Sequence, residues 1–176
     1  PRRVAQLAHH RPDLRFCPIR GNVDTRLRKL SEDRLDAIVL AGAGLARLGM
    51  VDRVTQWLPP EVSLPAAGQG IIAVQARDED LEVLRLVSKL DVPASRGGAA
   101  AERAALLGLG GGCRVPVGIL AQVEGDCCCV DGVALGLTGT PCYRAHVSGA
   151  ISDPAAAGRR LAGELLGQGA HELLRA

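Results

Sequence analysis

The chain has 176 residues, which is enough for one ordinary domain or two small ones. Hydrophobic residues make up 47% of it and aromatic residues only 2%, so a buried core must consist of Ala, Val, Leu and Ile, and the stacking platforms that single-stranded nucleic acids need are scarce. Residues 1–30 hold eight Lys or Arg against two Asp, whereas the whole chain has a net charge of only +2, so the basic excess is local and indicates a site rather than a general nucleic-acid coat.

The first third of the chain alternates predicted helices and strands, which is the pattern of an α/β fold. The apolar run 37–41 is typical of a buried parallel strand. The longest apolar stretch, residues 37–48, is interrupted by Gly42, Gly44 and Arg47 and is too short to span a membrane. Helices are predicted at 2–10, within 23–30, at 43–48 and at 51–58, and strands at 14–19 and 37–41.

The segment 20–30 carries four basic side chains and opens on a Gly-Asn turn signal before an apolar stripe at Val23, Leu27 and Leu30. The stripe has helical spacing, so the sequence predicts a loop that leads into a short helix. The free N–H groups and the dipole at a helix N-terminus attract anions, and arginine adds bidentate recognition of carboxylate or phosphate. We therefore expect a small, multiply anionic ligand; the alternative is a solvated basic helix face.

The second half of the chain predicts a small α+β module that begins near residues 91–93. Three strands separated by turns predict an antiparallel meander, and Asp153-Pro154 is typical of a capped helix start. Gly97 and Gly98 would each cost about 1 kcal/mol inside a helix, so the helix after them is predicted to begin at Ala99. Strands are predicted at 71–77, 116–123, 130–137 and 142–147, and helices at 80–90, 99–107, 154–166 and 170–175.

The six cysteines do not form a metal-binding pattern. Consecutive residues on a strand point to opposite faces, so Cys127–Cys129 cannot all bind one ion, and the adjacent His9 and His10 make an equally poor chelate. We expect no metal site and interpret Cys127–Cys129 and Cys142 as small residues within strands.

One cysteine, Cys113, follows three glycines and precedes Arg114. The glycines give steric access, and the neighbouring cation favours the nucleophilic thiolate. This pattern alone is weak, and by itself it favours a structural thiol.

Taken together, the motifs resemble those of the porphobilinogen deaminase (hydroxymethylbilane synthase) family, in the family's order and spacing and over nearly the whole chain. The Arg-Gly-Asn motif and the Gly-Gly-Cys motif are highly specific when they occur together. The matching segments are Arg2-Arg3, 20–30, 36–49, 58–64, 67–70 (AGQG), 101–104 (AERA) and 111–117 (GGCRVPV).

The resemblance implies three domains, of which this chain would supply the C-terminal part. The expected fold is α/β, an incomplete periplasmic-binding-protein-like half, followed by a small α+β domain with a three-stranded antiparallel sheet and helices. Residues 1–64 would form most of the second domain, residues 65–92 would return to a mostly absent first domain, and residues 93–176 would form the C-terminal domain with the cofactor cysteine. Residues 65–92 should then expose apolar surface.

The activity that the resemblance implies is a transferase that joins four porphobilinogen units head to tail into hydroxymethylbilane, with release of ammonia, in tetrapyrrole biosynthesis. This chain alone is expected to be inactive, and the full-length protein is expected to be a monomer in the cytoplasm or in an organelle such as a plastid. No nucleic acid, membrane or metal partner is expected.

The resemblance also implies roles for individual residues. Cys113 would hold a dipyrromethane cofactor through a thioether, and the loops of Ala43, Gly44 and Gln69 would approach that cofactor. The family's catalytic aspartate lies in the first domain, so none is assigned here; Asp24 is expected in a helix first turn and Asp36 at a strand entry. The carboxylates of the cofactor and of the oligopyrrole intermediates would be bound by Arg2, Arg3, Arg20 and Arg26, and those of the substrate also by Arg47, with Arg28 and Lys29 facing solvent.

Two other functions remain open on the residues alone. A non-catalytic module could bind small anions with the same arginines. A nucleic-acid binder could use the basic N-terminal third, although the scarcity of aromatic residues and the acidic remainder of the chain argue against it.

Overall fold

The computed structural model describes residues 1–110 and 115–174. Within these ranges there are seven α-helices and three β-strands, joined by short 3₁₀ turns at Val51–Arg53 and Ser88–Leu90 and by a π-turn at Leu166–Ala170. The helices are α1 (Arg2–His10), α2 (Val23–Glu32), α3 (Gly42–Arg47), α4 (Leu81–Val87), α5 (Pro93–Gly108), α6 (Pro154–Leu165) and α7 (His171–Leu174), and the strands are β1 (Val117–Glu124), β2 (Cys127–Leu135) and β3 (Cys142–Ala150).

The three strands form an antiparallel sheet in the order β1-β2-β3, which confirms the predicted meander. A tight turn joins β1 to β2, and Gly125 supplies its positive φ of 57°. Val130, in the middle of β2, pairs with Ala121 of β1 and with Val147 of β3. The sheet and its helices confirm the α+β part of the predicted fold class.

Helices α5 and α6 cover one face of the sheet and bury the main core. Ala101 and Ala105 of α5, Leu161 of α6 and Ile119 of β1 are among its fully buried residues. Gly158 allows the two helices to approach closely, because a Cβ atom there would overlap the carbonyl oxygen of Ala101. Among the described residues, the buried apolar side chains are Ala, Val, Leu, Ile and Cys, and the aromatic Tyr143 packs against this core as a partly buried residue.

Helix α5 begins earlier than predicted, at Pro93 instead of Ala99, and it contains both Gly97 and Gly98. The two glycines are buried, and a Cβ atom on Gly97 would lie only 2.7 Å from Cδ1 of Ile151. The close packing that the missing side chains allow offsets the propensity cost of about 1 kcal/mol per glycine.

The predicted α/β half is not confirmed. Helices α1, α2 and α3 form where they were predicted, but residues 14–19, 37–41 and 71–77 are irregular, and only Val51–Arg53 of the predicted helix 51–58 is helical. A strand is stabilised by hydrogen bonds to a neighbouring strand. The part of residues 1–92 that was predicted to form a sheet has no strand beside it to supply those bonds.

The segment around α4 is largely exposed. Asp80 caps the helix by accepting a hydrogen bond from the Val83 N–H at 3.2 Å, so the predicted helix is present. Several apolar side chains in and around this helix are nevertheless in solvent: Ile72, Leu81 and Leu90 are exposed by 72%, 76% and 66%. The apolar surface predicted for residues 65–92 is therefore observed.

The N-terminal segment packs against the outer face of β2. Ala5 of α1 and Leu64 bury Val133 and Leu135 there. The guanidinium of Arg144 on β3 fastens the same junction by donating hydrogen bonds to the carbonyl oxygens of Glu61 and Pro60, at 2.6 and 2.9 Å. Across residues 1–110 and 115–174, every helix is too short or too polar to cross a membrane.

Candidate functional site

A cavity of about 440 Å³ lies beside the N-terminus of α1. Its walls are formed by residues 36–42 and 53–58, and α1 contributes Arg2 and Arg3. Gln69 completes the wall. The cavity therefore combines segments of mainly apolar residues with cationic side chains, which is the composition expected of a site for an organic anion.

Arg2 is the most unusual side chain of this cavity. Its Nη2 donates a hydrogen bond to Oε1 of Gln69 at 2.7 Å, but its Nε is buried and has no partner. Burial, and then the charge of Arg3, lower the pKa of Arg2. A half-buried guanidinium with a buried, unused donor is stabilised by an anion, because an acceptor would supply the missing hydrogen bond and offset the adjacent positive charge.

Two further arginines line the same cavity. Arg3 is half-buried, and its Nη1 lies 3.4 Å from the carbonyl oxygen of Val39, which is a long contact for a hydrogen bond. Arg53, which sequence reasoning missed, also lines the cavity, and so does Asp36. Three arginines against one acidic residue give the lining residues an excess of positive charge.

Gln6 determines how α1 is placed against the cavity. Its amide is buried, donates to the carbonyl oxygen of Leu64 at 3.0 Å and accepts from the Leu64 N–H at 2.7 Å. This pair of bonds fixes the helix relative to residues 63–65, which themselves line the cavity. Sequence reasoning missed the role of Gln6, because its partner Leu64 is 58 residues away along the chain.

Glu102 of α5 holds the loop that carries Gln69. Its carboxylate accepts hydrogen bonds from the backbone N–H groups of Gly68, at 2.6 Å, and of Ala121 on β1, at 2.9 Å. Burial raises the pKa of Glu102, against the opposite effect of these two donors. The contact links the AGQG and AERA motifs physically, so Glu102 is a positioning residue that the sequence analysis missed.

Replacing Glu102 with Gln should lower the free energy of unfolding by about 1–3 kcal/mol, because an amide NH₂ would face one of the two backbone donors. The pKa of the folded-state carboxyl is raised, so its contribution to stability is largest below the ordinary value of 4.5 and is lost as the pH rises through the raised pKa. Urea titrations at several pH values should therefore show the gap between wild type and variant narrowing with rising pH. The matched control is Glu164→Gln on the exposed face of α6, which should change stability by less than about 0.5 kcal/mol.

The other predicted site residues are not among those that line the cavity. The helix after the Arg-rich loop forms as predicted, with Asn22 as its N-cap, which accepts a hydrogen bond from Thr25 N–H at 2.8 Å. Arg26 turns back to donate to the carbonyl oxygen of Gly21 at 2.8 Å. Arg20, Arg47 and Ala43 are exposed, and Gly44 packs near Val23. The structure thus brings Arg2, Arg3 and Gln69 together, and the ligand roles of Arg20, Arg26, Ala43, Gly44 and Arg47 stay predictions.

The predicted cofactor cysteine, Cys113, lies outside the described residues, as does Arg114. Elsewhere, in residues 1–110 and 115–174, the structure places no group of three or more His, Cys, Asp or Glu side chains where they could hold a metal ion.

Most of the chain is similar to known proteins. A family model described as "Porphobilinogen deaminase, dipyromethane cofactor binding domain" matches residues 1–85, and one described as "Porphobilinogen deaminase, C-terminal domain" matches residues 98–167. A curated protein of Roseiflexus castenholzii named porphobilinogen deaminase is 55% identical over 173 residues, which are 98% of this chain and 57% of that protein.

Two further relatives carry the same name. The protein of Pelotomaculum thermopropionicum is 51% identical over 99% of this chain and 56% of its own length, and that of Geobacter sulfurreducens is 44% identical over 98% of this chain and 54% of its own. The chain therefore spans a little over half the length of the curated relatives that it matches.

Proposed function

The chain belongs to the porphobilinogen deaminase family, and on that premise we propose that it is part of a hydroxymethylbilane synthase. This transferase would join four porphobilinogen units head to tail and release an ammonia at each step, in tetrapyrrole biosynthesis. Because the chain covers 57% of the Roseiflexus castenholzii relative, the activity is assigned to a protein of the relatives' length, and the 176-residue chain alone is expected to be inactive.

The observation that supports this function best is the unpartnered Nε of Arg2 in a cavity that also holds Arg3 and Arg53. Porphobilinogen carries two carboxylates, and each unit added to the growing chain brings two more. Guanidinium groups bind carboxylates in bidentate fashion, and an acceptor at Arg2 would satisfy its buried donor. The residues present therefore fit a multiply carboxylated oligopyrrole.

The roles proposed for the chain's own residues follow from this fit. Arg2, Arg3 and Arg53 would bind and orient carboxylates, and Gln69 would hold the Arg2 guanidinium in place. Cys113 would anchor the dipyrromethane cofactor, which when bound supplies the pyrrole end to which the first substrate unit is coupled. The proton donor and the charge-stabilising aspartate are left to the part of the protein that this chain does not span.

The same proposal covers the domain organisation. Residues 1–64 would belong to a second, periplasmic-binding-protein-like domain, residues 65–92 to a first domain, and residues 93–176 to the C-terminal domain. The exposure of Ile72, Leu81 and Leu90 supports a return segment whose apolar side chains are covered by another part of the protein. We also infer a cytoplasmic monomer from the family resemblance.

The test compares this chain with a protein of the relatives' length that contains it. The longer protein should consume porphobilinogen and yield hydroxymethylbilane, detected by mass spectrometry, and the 176-residue chain should not. If the longer protein binds oligopyrrole carboxylates but consumes no porphobilinogen, the chain is an anion-binding module instead.

A further inference from the structure

The open half of the sheet's outer face carries a row of polar side chains that the proposed function does not use. On β2, Cys127, Cys129 and Asp131 are half-buried on this face, whereas Cys128 and Val130 point into the core and are fully buried. Val133 and Leu135, farther along the same face, are covered by α1 and Leu64. The row is therefore accessible at the end of the strand beside the β1–β2 turn.

Each side chain in this row contacts the next one, so that the row forms a continuous chain of contacts from Cys127 to Asp131. The Sγ atoms of Cys127 and Cys129 are 3.7 Å apart, and Cys129 Sγ lies 3.4 Å from Oγ of Ser148, its register partner on β3. Ser148 Oγ lies 3.4 Å from Nε2 of His146, whose Nδ1 is 3.0 Å from Oδ1 of Asp131. Two thiols are thus paired on one face of a strand and supported on one side by a hydroxyl, an imidazole and a carboxylate.

The strand geometry disfavours a disulfide between these thiols. Two residues of an extended strand span about 6.6–6.8 Å, at the upper limit of the Cα separations found in disulfides. The 3.7 Å between the sulfurs would have to shrink to about 2.05 Å, which requires bending the ladder that pairs Cys127 with Glu124 and Ala150.

The same separation suits two sulfurs that share one central atom. With bonds of about 2.3 Å, the Zn–S length, and bond angles of about 100–110°, two sulfurs lie about 3.5–3.8 Å apart. A tetrahedral metal needs three or four protein ligands, and the described residues place no such group together. The pair therefore fits a thiophilic centre that requires two sulfurs only.

We propose that Cys127 and Cys129 form a dithiol site that chelates a monosubstituted trivalent arsenical. In the reaction with an arsenoxide, R–As=O, the two S–H bonds break and two As–S bonds form. The oxygen leaves as water with the two thiol protons, and the third valence of arsenic remains on the organic group. Arsenic stays trivalent, so the reaction needs no oxidant or reductant.

The protonation of Cys127 agrees with this chemistry. The hydrogen bond with Cys129, and then burial, raise the pKa of Cys127. The charge of Glu124 on the neighbouring strand acts in the same direction. All three effects favour the thiol form of Cys127, which supplies one of the two protons of the departing water, over the thiolate that thiol–disulfide exchange requires.

The test uses the reduced full chain and phenylarsine oxide as the probe. Intact-mass spectrometry should show one phenylarsenic adduct that survives an excess of 2-mercaptoethanol and is removed by 2,3-dimercaptopropanol, because only a two-sulfur chelate resists a monothiol. Peptide mapping should place the arsenic on the peptide that contains residues 127–129. Cys127→Ser and Cys129→Ser should each reduce the resistant adduct at least tenfold.

Two matched variants should keep the resistant adduct: Cys128→Ala, whose thiol points to the opposite face, and Cys17→Ser, at an exposed position outside the three strands. A resistant adduct of wild-type yield in Cys129→Ser, or its loss in Cys17→Ser, would refute the assignment. Neither result depends on porphobilinogen, so the outcome is separate from that of the proposed function.

Discussion

Replacing Cys113 with Ala should leave the protein without a covalent dipyrromethane and reduce porphobilinogen consumption to background. A thioether needs a sulfur at that position, and the family resemblance places the attachment site on the Gly111-Gly112-Cys113 motif. The intact mass of the purified full-length protein measures the attached cofactor directly, and a coupled assay measures consumption. Both readouts should be lost together.

The matched control is Cys142→Ala on β3. Cys142 is half-buried, and burial raises the pKa of its thiol, so it is a poor nucleophile. That variant should keep the adduct and the activity. An unchanged adduct mass in Cys113→Ala would show that another residue holds the cofactor and would remove the basis of the assignment.

Local signals in the sequence were sufficient to predict the meander and helix α6 of the C-terminal module. Gly125-Asp126 marks the first turn of the meander, and Asp153 caps α6 by accepting a hydrogen bond from Ala156 N–H at 3.0 Å. Such signals act over a few residues, so they are readable without tertiary information. The predicted beginning of α5 was wrong because Gly97 stabilises the helix through close packing against Ile151, which is 54 positions away along the chain.

In the N-terminal half, by contrast, local signals did not predict the structure of the extended segments. The apolar run 37–41 has the composition of a buried strand, but a strand exists only when a neighbour accepts and donates its backbone hydrogen bonds. Amino-acid composition shows the tendency of a segment to form a strand, but it does not show whether a neighbouring strand is present. The extended segments of residues 1–92 therefore remain irregular where the structure supplies no partner.

The residues of the candidate site also fall into two groups, those that local sequence motifs predicted and those that they did not. Arg2, Arg3 and Gln69 were named because they match family motifs, and the structure gathers them around one cavity. Gln6 and Glu102 were missed because their roles come from hydrogen bonds to backbone groups 58 and 34 residues away. A local sequence pattern contains no information about such distant pairs. An acidic residue among the alanines of a predicted helix, as in α5, is nevertheless a signal for a positioning role.

Replacing Arg2 with Leu in the full-length protein should slow chain elongation about 10- to 100-fold, because a charge-assisted hydrogen bond contributes about 1.5–3 kcal/mol. The loss should grow with the number of carboxylates on the bound intermediate. Mass spectrometry should therefore show partly elongated oligopyrroles accumulating. The free energy of unfolding should fall by less than about 1 kcal/mol, since the variant also removes a desolvated charge and an unpartnered buried donor.

Arg28→Leu is the matched control, because it removes the same charge from the same basic third of the chain. Arg28 is exposed on α2, where its Nε lies 3.2 Å from Oε1 of Glu32, and it does not line the Arg2 cavity. Its loss should leave elongation unchanged, since an exposed ion pair contributes about 0–1 kcal/mol. Equal slowing by both substitutions would mean that net charge, and not a carboxylate bound at Arg2, limits the rate. A parallel loss of stability and activity in Arg2→Leu would assign Arg2 to the fold instead of the ligand.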